Sequence, residues 1–110
     1  MESDHDTRMA KNEAVFRDVN ERIEAGALPA DTDKLLAFCC ECARLGCNQL
    51  VEVTVATYEL VRANPQRFLL AVGHELDGVE KIVSHGANYI VVEKIGGAGQ
   101  VAQALDPREG

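Results

Sequence analysis

Apolar residues along the first quarter of the chain recur with the period of a helix. Their spacings are three and four residues, at Val15, Phe16, Val19 and Ile23. Such a stripe is typical of a helix that packs its apolar face on a core and leaves its charged face in solvent. We expect the helix to end near Gly26, because glycine commonly follows a helix C-terminus. Residues 1–8 lack the periodicity, so we predict a disordered leader over 1–8, one domain over 9–106 and a tail over 107–110.

Four short apolar runs predict β-strands. They are Leu35–Cys39, Leu50–Val53, Phe68–Val72 and Tyr89–Val92. The run Phe68–Val72 is apolar at every position, which is typical of a central strand that is covered on both faces. The four runs therefore predict one small sheet with Phe68–Val72 near its centre.

Capping residues predict helices between and after these strands. Thr54, a preferred N-cap residue, precedes an apolar helical stripe that Pro65 ends. Asp77 and Glu80 form a capping-box pair, which predicts a two-turn helix over the next residues, with a strand as the second interpretation. A weak terminal helix is expected over 101–105. The order of elements predicts an α+β fold in which three to four helices pack on a small mixed sheet of about four strands.

The charge balance limits the classes of partner. The chain carries 18 acidic and 11 basic residues, a formal net charge of −7, which disfavours nucleic acid and anionic membranes because both are bound through Lys and Arg. No apolar run approaches the roughly 18 residues of a membrane span. The N-terminus is acidic where a secretory signal is basic and then apolar. We therefore predict a cytoplasmic protein whose cysteines are reduced, with neither nucleic acid nor membrane as partner.

Four cysteines within nine residues, from Cys39 to Cys47, form the strongest chemical signal in the chain. In a reducing compartment such density is typical of a metal site. Zn²⁺ prefers four tetrahedral nitrogen and sulfur ligands. We predict these to be Cys40, Cys42, Cys47 and His74. The cysteines would form a zinc knuckle in the turn between the first two strands and hold one structural Zn²⁺ per chain, although sulfur-rich tetrahedral sites also suit iron.

Other uses of the same residues stay open at this point. Cys39 and Cys42 make a C-x-x-C pair that suits a redox dithiol or could replace Cys40 as a ligand. All four cysteines could also bind the ion together and leave His74 free. Because adjacent residues at a strand end point in opposite directions, we expect Cys39 to face the core rather than share the ion with Cys40. His85 and His5 are the alternative histidine ligands.

A shared ion also makes a prediction about topology. His74 follows the run Phe68–Val72, whereas the cysteine cluster precedes the run Leu50–Val53. If those two strands were parallel neighbours joined by an ordinary crossover, His74 would emerge at the opposite end of the sheet from the cluster. The metal site therefore requires them to run in opposite directions.

Several motifs together resemble a family of small actinobacterial proteins. The resemblance covers most of residues 10–94, and its most specific positions are Phe38, Cys40, Glu41, Cys42, Cys47, Gly73, His74, Glu75 and the segment Tyr89–Lys94. The resemblance implies a zinc-type Cys3His site and implies no activity. The chain departs from the family pattern at Thr57, where a Glu is usual, and in its glycine-rich segment 96–99.

Three classes of function compete on these grounds. The leading hypothesis is a small zinc-binding protein with a structural metal, acting as a protein-interaction module, because four protein ligands leave no coordination position for a reacting water. The second is an enzyme that uses zinc or a thiol, with Glu41 and Glu75 as candidate proton carriers. The third is a redox or metal sensor in which thiolate oxidation releases the ion.

Overall fold

A computed structural model describes residues 4–26, 33–42, 44, 46–76 and 78–105. In chain order the elements are α1 (Asp4–Ala25), β1 (Leu35–Cys39), β2 (Leu50–Thr54), α2 (Val55–Arg62), β3 (Arg67–Ala71), β4 (Glu80–His85), β5 (Tyr89–Lys94) and α3 (Gly97–Ala104). Among the described residues, none of the helices combines the length and apolar composition that crossing a membrane requires. The predicted mixture of helices and strands is confirmed, and the tail 107–110 lies outside the described residues.

The described strands form two antiparallel sheets rather than one mixed sheet. Strands β1 and β2 form a hairpin in which Leu35 pairs with Thr54 and Cys39 with Leu50. The second sheet has the order β3-β5-β4. The prediction of a single sheet with Phe68–Val72 at its centre is therefore wrong, because β5 is the central strand. The strand β3 is nevertheless apolar because Phe68, Leu69 and Leu70 are all buried, and the backbone of Leu69 at its outer edge is paired with Glu41 of the β1–β2 connection.

The strand β4 replaces the helix predicted after Asp77. Ile82 and Val83 are β-branched residues that fit a sheet well, and β4 pairs antiparallel with β5, with a register shift between Ile82 and Ser84. Glu80 is the first residue of β4, so its carboxylate has no helix to cap. The carboxylate instead accepts a hydrogen bond from the N–H of Leu76 and pairs with Lys94. Tertiary pairing thus overrides the local capping pattern, whose first residue, Asp77, lies outside the described residues.

The helix α2 confirms the N-cap predicted at Thr54. The Thr54 hydroxyl accepts a hydrogen bond from the N–H of Thr57 at 3.1 Å, which satisfies one of the free donors of the first turn. The helix buries Tyr58 and Val61 against the sheets. The Tyr58 ring stacks on Phe38 of β1 with ring centroids 4.4 Å apart, so α2 joins the hairpin to the core.

The helix α1 packs mainly through polar residues, although Ile23 of the predicted apolar stripe also packs against the core. Val15 is 58% exposed and Val19 is 37% exposed. The face turned toward the protein carries Glu13, Arg17 and Asn20, all buried. Each of them has charged or hydrogen-bonding partners in the sheets or their connections, which offsets the cost of burial. The helix begins at Asp4, so it includes residues 4–8, which the periodicity assigned to the leader.

The core lies between α2 and the strands of both sheets. Its fully buried members include Phe38, Val51, Tyr58, Leu69, Leu70 and Val92. The buried sulfurs of Cys40 and Cys42 belong to the same cluster. The loop that carries the cysteines is therefore continuous with the core.

Candidate metal centre

Two loops meet at one end of the molecule. The first, residues 40–49, connects β1 to β2, and the second follows β3. The N–H of Cys40 donates to Gln49 at the base of the first loop, and the N–H of His74 donates to Ala71 in the second. Because β2 leaves the cluster while β3 arrives at it, Cys40 and His74 emerge at the same end, as a shared ion requires.

Glycines give both loops the turns that present their last ligands. Gly46 has φ of +83° and precedes Cys47, while Gly73 has φ of +86° and precedes His74. Side chains other than glycine are disfavoured at such positive φ values. The Arg44 guanidinium also donates to the carbonyl of Gly73 at 3.3 Å and joins the two loops across the site.

The four predicted ligands come together as one group. Their ligand atoms, three Sγ atoms and a nitrogen of His74, all lie within 4.8 Å of one another. The Nδ1 atom of His74 is 3.5 Å from the Cys40 sulfur and 3.7 Å from the Cys47 sulfur. A tetrahedral ion with bonds of ~2.3 Å to sulfur and ~2.0 Å to nitrogen sets these atoms about 3.5 Å apart. Cys40, Cys42, Cys47 and His74 could therefore hold a metal ion.

The polypeptide around the sulfurs favours a thiolate at the site. The pKa of Cys40 is lowered, mainly because the Cys42 thiol donates to it, and further by backbone N–H groups that include that of Ala71 at 3.1 Å. The pKa of Cys42 is raised, first by that shared hydrogen bond and then by burial. One thiol thus keeps a proton that an incoming cation would displace, since thiolates are the forms that bind metals.

The remaining sulfur and histidines of the described residues lie outside this group. The prediction that Cys39 faces the core is wrong, because the inward-facing residue of this strand end is Phe38, at 0% exposure. Burial, and then the Glu41 carboxylate, raise the pKa of Cys39. His85 is exposed at the end of β4. The side chain of His5 lies outside the described residues.

The carboxylate of Glu41, between two of the ligands, is fully buried. Its Oε2 atom accepts from Asn20 at 2.8 Å and from the Tyr58 hydroxyl at 2.7 Å, and its Oε1 atom accepts from the N–H of Leu69 at 3.0 Å. Its own N–H donates to the Leu69 carbonyl at 2.7 Å. Both carboxylate oxygens of Glu41 thus accept hydrogen bonds that join elements of the fold, which favours a structural role over that of a proton carrier. The other candidate proton carrier, Glu75, is half-buried.

Sequence reasoning missed the importance of Glu41 and did not consider Asn20. The available signal for Asn20 was its position in the middle of a helix, where asparagine is unfavourable and needs a reason to be present. For Glu41 the signal was a charged residue inside a segment whose neighbours, Cys40 and Cys42, belong to the core. A buried carboxylate requires hydrogen-bond donors, and no local pattern indicates that these come from α1, α2 and β3.

Comparison of the chain with protein-family models, curated proteins and solved structures finds no significant match. The resemblance to the actinobacterial family stays a prediction, and the interpretation of the metal centre rests on its own geometry.

Proposed function

We propose that the protein binds one Zn²⁺ ion per chain through Cys40, Cys42, Cys47 and His74, and that this ion is structural. The single observation that carries the proposal is the convergence of four ligand atoms within 4.8 Å. Three sulfurs and one imidazole nitrogen form a ligand set that zinc prefers. The segment Cys40–Cys47 would act as the zinc knuckle.

The surroundings of the ligands favour a structural role over catalysis. Four protein ligands complete a tetrahedral shell, so no position remains for a reactive water. The sulfurs of Cys40 and Cys42 are at most 1% exposed and are part of the core. The ion would connect the β1–β2 loop to the loop after β3 and so link the two sheets.

Metal analysis of matched histidine variants tests the proposal. We expect one zinc per chain in the wild type and in His85→Ala, whose imidazole is exposed on β4. His74→Ala should bind zinc at least about tenfold more weakly, because losing a ligand exceeds the effect of losing a partner of a ligand. Elemental analysis and chelator competition measure both quantities. Wild-type protein without bound metal and with an unchanged thermal melt after chelation would contradict the proposal.

The cysteines provide a second matched pair. Cys40→Ser removes a sulfur of the group, whereas Cys39→Ser changes a sulfur outside it. We expect zinc affinity to fall in the first variant and to stay within about twofold of wild type in the second, since the Cys39 sulfur is not among the four grouped ligand atoms and serine keeps nearly the same shape. Equal loss in both variants would indicate a four-cysteine site instead.

We further propose that the domain acts as a protein-interaction module. In support, Leu35 and Leu50 are 63% and 64% exposed on the same outer face of the hairpin. Leu50 lies next to the β1–β2 connection, residues 40–49, which we call the metal loop, and Leu35 lies at the other end of the hairpin. Exposed apolar side chains grouped on one face are typical of interaction surfaces. A photo-crosslinking residue at position 50 should form a defined adduct with a protein partner, and the same residue at position 81 on β4 is the control. Metal-loaded protein that forms no adduct from position 50 would contradict this role.

A further inference from the structure

The helix α1 contacts the metal loop on both sides of the ligand Cys40. On one side, the Asn20 amide brackets the backbone of Cys39: its oxygen accepts from the Cys39 N–H at 2.7 Å and its nitrogen donates to the Cys39 carbonyl at 2.9 Å. On the other side, the same nitrogen donates to the carboxylate of Glu41. A single buried side chain of α1 therefore restrains the residues that flank Cys40.

The side chain of Glu41 extends these restraints to two further elements. It accepts from Tyr58 of α2 and from the backbone of Leu69 in β3. The N–H of Ala71, also in β3, donates to the Cys40 sulfur. Two contacts therefore fix Cys40 relative to β3: its own sulfur binds Ala71, and its neighbour Glu41 binds Leu69. The helices α1 and α2 in turn hold Glu41 in place through Asn20 and Tyr58.

We propose that Asn20 and Glu41 are positioning residues of the metal centre, and that metal binding is coupled through them to the docking of α1. The inference rests on the proposed zinc binding and adds to it a control of affinity. Neither residue ligates the ion. They hold the ligand loop in the conformation that the ion needs, so less ordering remains to be done when it binds.

Coupling of this kind works in both directions. If the contacts of α1 raise the affinity for the ion by some factor, the ion must stabilise the docked helix by the same factor. The contact face of α1 is built from polar residues, Glu13, Arg17 and Asn20, so its docking depends on specific partners and not on a broad apolar surface. Loss of the ion would loosen the Asn20 end of this face.

The affinity for Zn²⁺, measured by competition with a chromophoric chelator, tests the positioning role. In the wild type, the side-chain nitrogen of Asn20 donates to the Glu41 carboxylate at 2.8 Å. Asn20→Asp replaces this donor with a second carboxylate, and Glu41→Gln removes the negative charge of the acceptor. Each is expected to weaken Zn²⁺ binding by about 10–100-fold, the range found for partners of metal ligands. In the double variant N20D/E41Q, donor and acceptor exchange places, so we expect part of the affinity to return.

A matched control separates positioning from general destabilisation. Arg17→Met removes another buried anchor of α1, one that donates to the carbonyls of Pro65 and Arg67, away from the metal loop. It should lower thermal stability, but Asn20 keeps its own contacts with Cys39 and Glu41 in this variant, so zinc affinity should stay within about twofold of wild type. Tyr58→Phe, which removes one donor to Glu41 and keeps the ring, is the milder variant should Asn20→Asp fail to fold; it should weaken zinc binding severalfold.

Amide hydrogen exchange tests the reciprocal effect. Removal of zinc from the wild type should speed exchange in the half of α1 around Asn20 more than in β5, the centre of the second sheet. Tight zinc binding in the wild type with unchanged affinity in Asn20→Asp, Glu41→Gln and Tyr58→Phe would overturn the inference and leave the proposed function intact. A wild type that binds no zinc would overturn both.

Discussion

At the scale of single residues, Glu41 shows how a charged group can be accommodated in a small core. A buried carboxylate is costly unless hydrogen bonds replace its hydration. Three donors supply them, from Asn20, Tyr58 and the backbone of Leu69. Burial, together with the Glu41 carboxylate, raises the pKa of Tyr58 well above its usual value, so the phenol keeps the proton that it donates. The Tyr58 phenol therefore acts as a donor to the Glu41 carboxylate.

Gly86 leads to a prediction at the same scale. A Cβ at this position would lie 1.9 Å from a ring carbon of Tyr89, far inside contact distance. Gly86→Ala must therefore displace the Tyr89 ring, and we expect a loss of about 1–3 kcal/mol in the free energy of unfolding, as for other overpacked sites. Chemical denaturation measures the change.

The matched control for this substitution is Gly97→Ala. Nothing lies within 4 Å of a Cβ added there, and Gly97 is the first residue of α3, where alanine is the better helix former. The control should be neutral or slightly stabilising. Equal stabilities of Gly86→Ala and wild type would show that the Tyr89 ring can move aside at little cost.

At the scale of secondary-structure elements, α1 is held by a row of specific polar contacts. Arg17 donates to two backbone carbonyls at 2.6 Å and lies over the Phe68 ring, 3.7 Å from its centroid. Glu21 pairs with Arg62 of α2, whose side chain is fully buried. The apolar spacing predicted the helix correctly and Ile23 packs against the core, but Val15 and Val19 are exposed. The contacts that decide the packed face are with residues far away in the sequence.

Substitutions at two positions within one turn of α1, Arg17 and Val15, test which face of the helix is packed. Arg17→Met should cost about 2–4 kcal/mol, since it removes two charged hydrogen bonds and leaves the carbonyls of Pro65 and Arg67 without this donor. Val15→Ala should change stability by less than about 0.5 kcal/mol, because its side chain is 58% exposed. Thermal and urea unfolding of the two variants measure the difference. A larger loss from Val15→Ala than from Arg17→Met would mean that the apolar stripe is the packed face after all.

At the scale of the whole molecule, the metal loop connects two separate sheets, because its residue Glu41 binds the backbone of β3. The group of four residues that could hold a metal ion was predictable from sequence because three of its members lie within eight residues, Cys40 to Cys47, and because tetrahedral coordination requires a fourth. The division into two sheets was not predictable, since strand periodicity identifies β-strands without specifying their partners. The strand β4 was only the second interpretation for the same reason: its pairing with β5 outweighs a local helix signal at Asp77 and Glu80.

A buried charge cluster joins α1 to the second sheet at a point away from the metal loop. The Lys94 ammonium lies 2.6 Å from the Glu13 carboxylate and also pairs with Glu80. All three residues are at most 8% exposed. Two carboxylates thus share one ammonium, with Arg17 of the same helix as the next cation. Burial raises the pKa of Glu13 from 4.5 to about 7, although Lys94 opposes the rise.

The raised pKa of Glu13 makes the stability of the protein depend on pH near neutrality. A carboxyl group with a higher pKa in the folded state stabilises the fold fully below the unfolded value of 4.5 and loses that contribution as pH rises through about 7. Relative to Glu13→Gln, the wild type should therefore gain about 1 kcal/mol between pH 8 and pH 6. Unfolding of both proteins at the two pH values, with zinc present throughout, cancels the titration of the metal ligands. The neutral change Val15→Ala on the same helix should show no such pH-dependent difference. A difference between wild type and Glu13→Gln that stays constant from pH 6 to pH 8 would mean that Glu13 remains ionised inside the cluster, with Lys94 and Arg17 outweighing its burial.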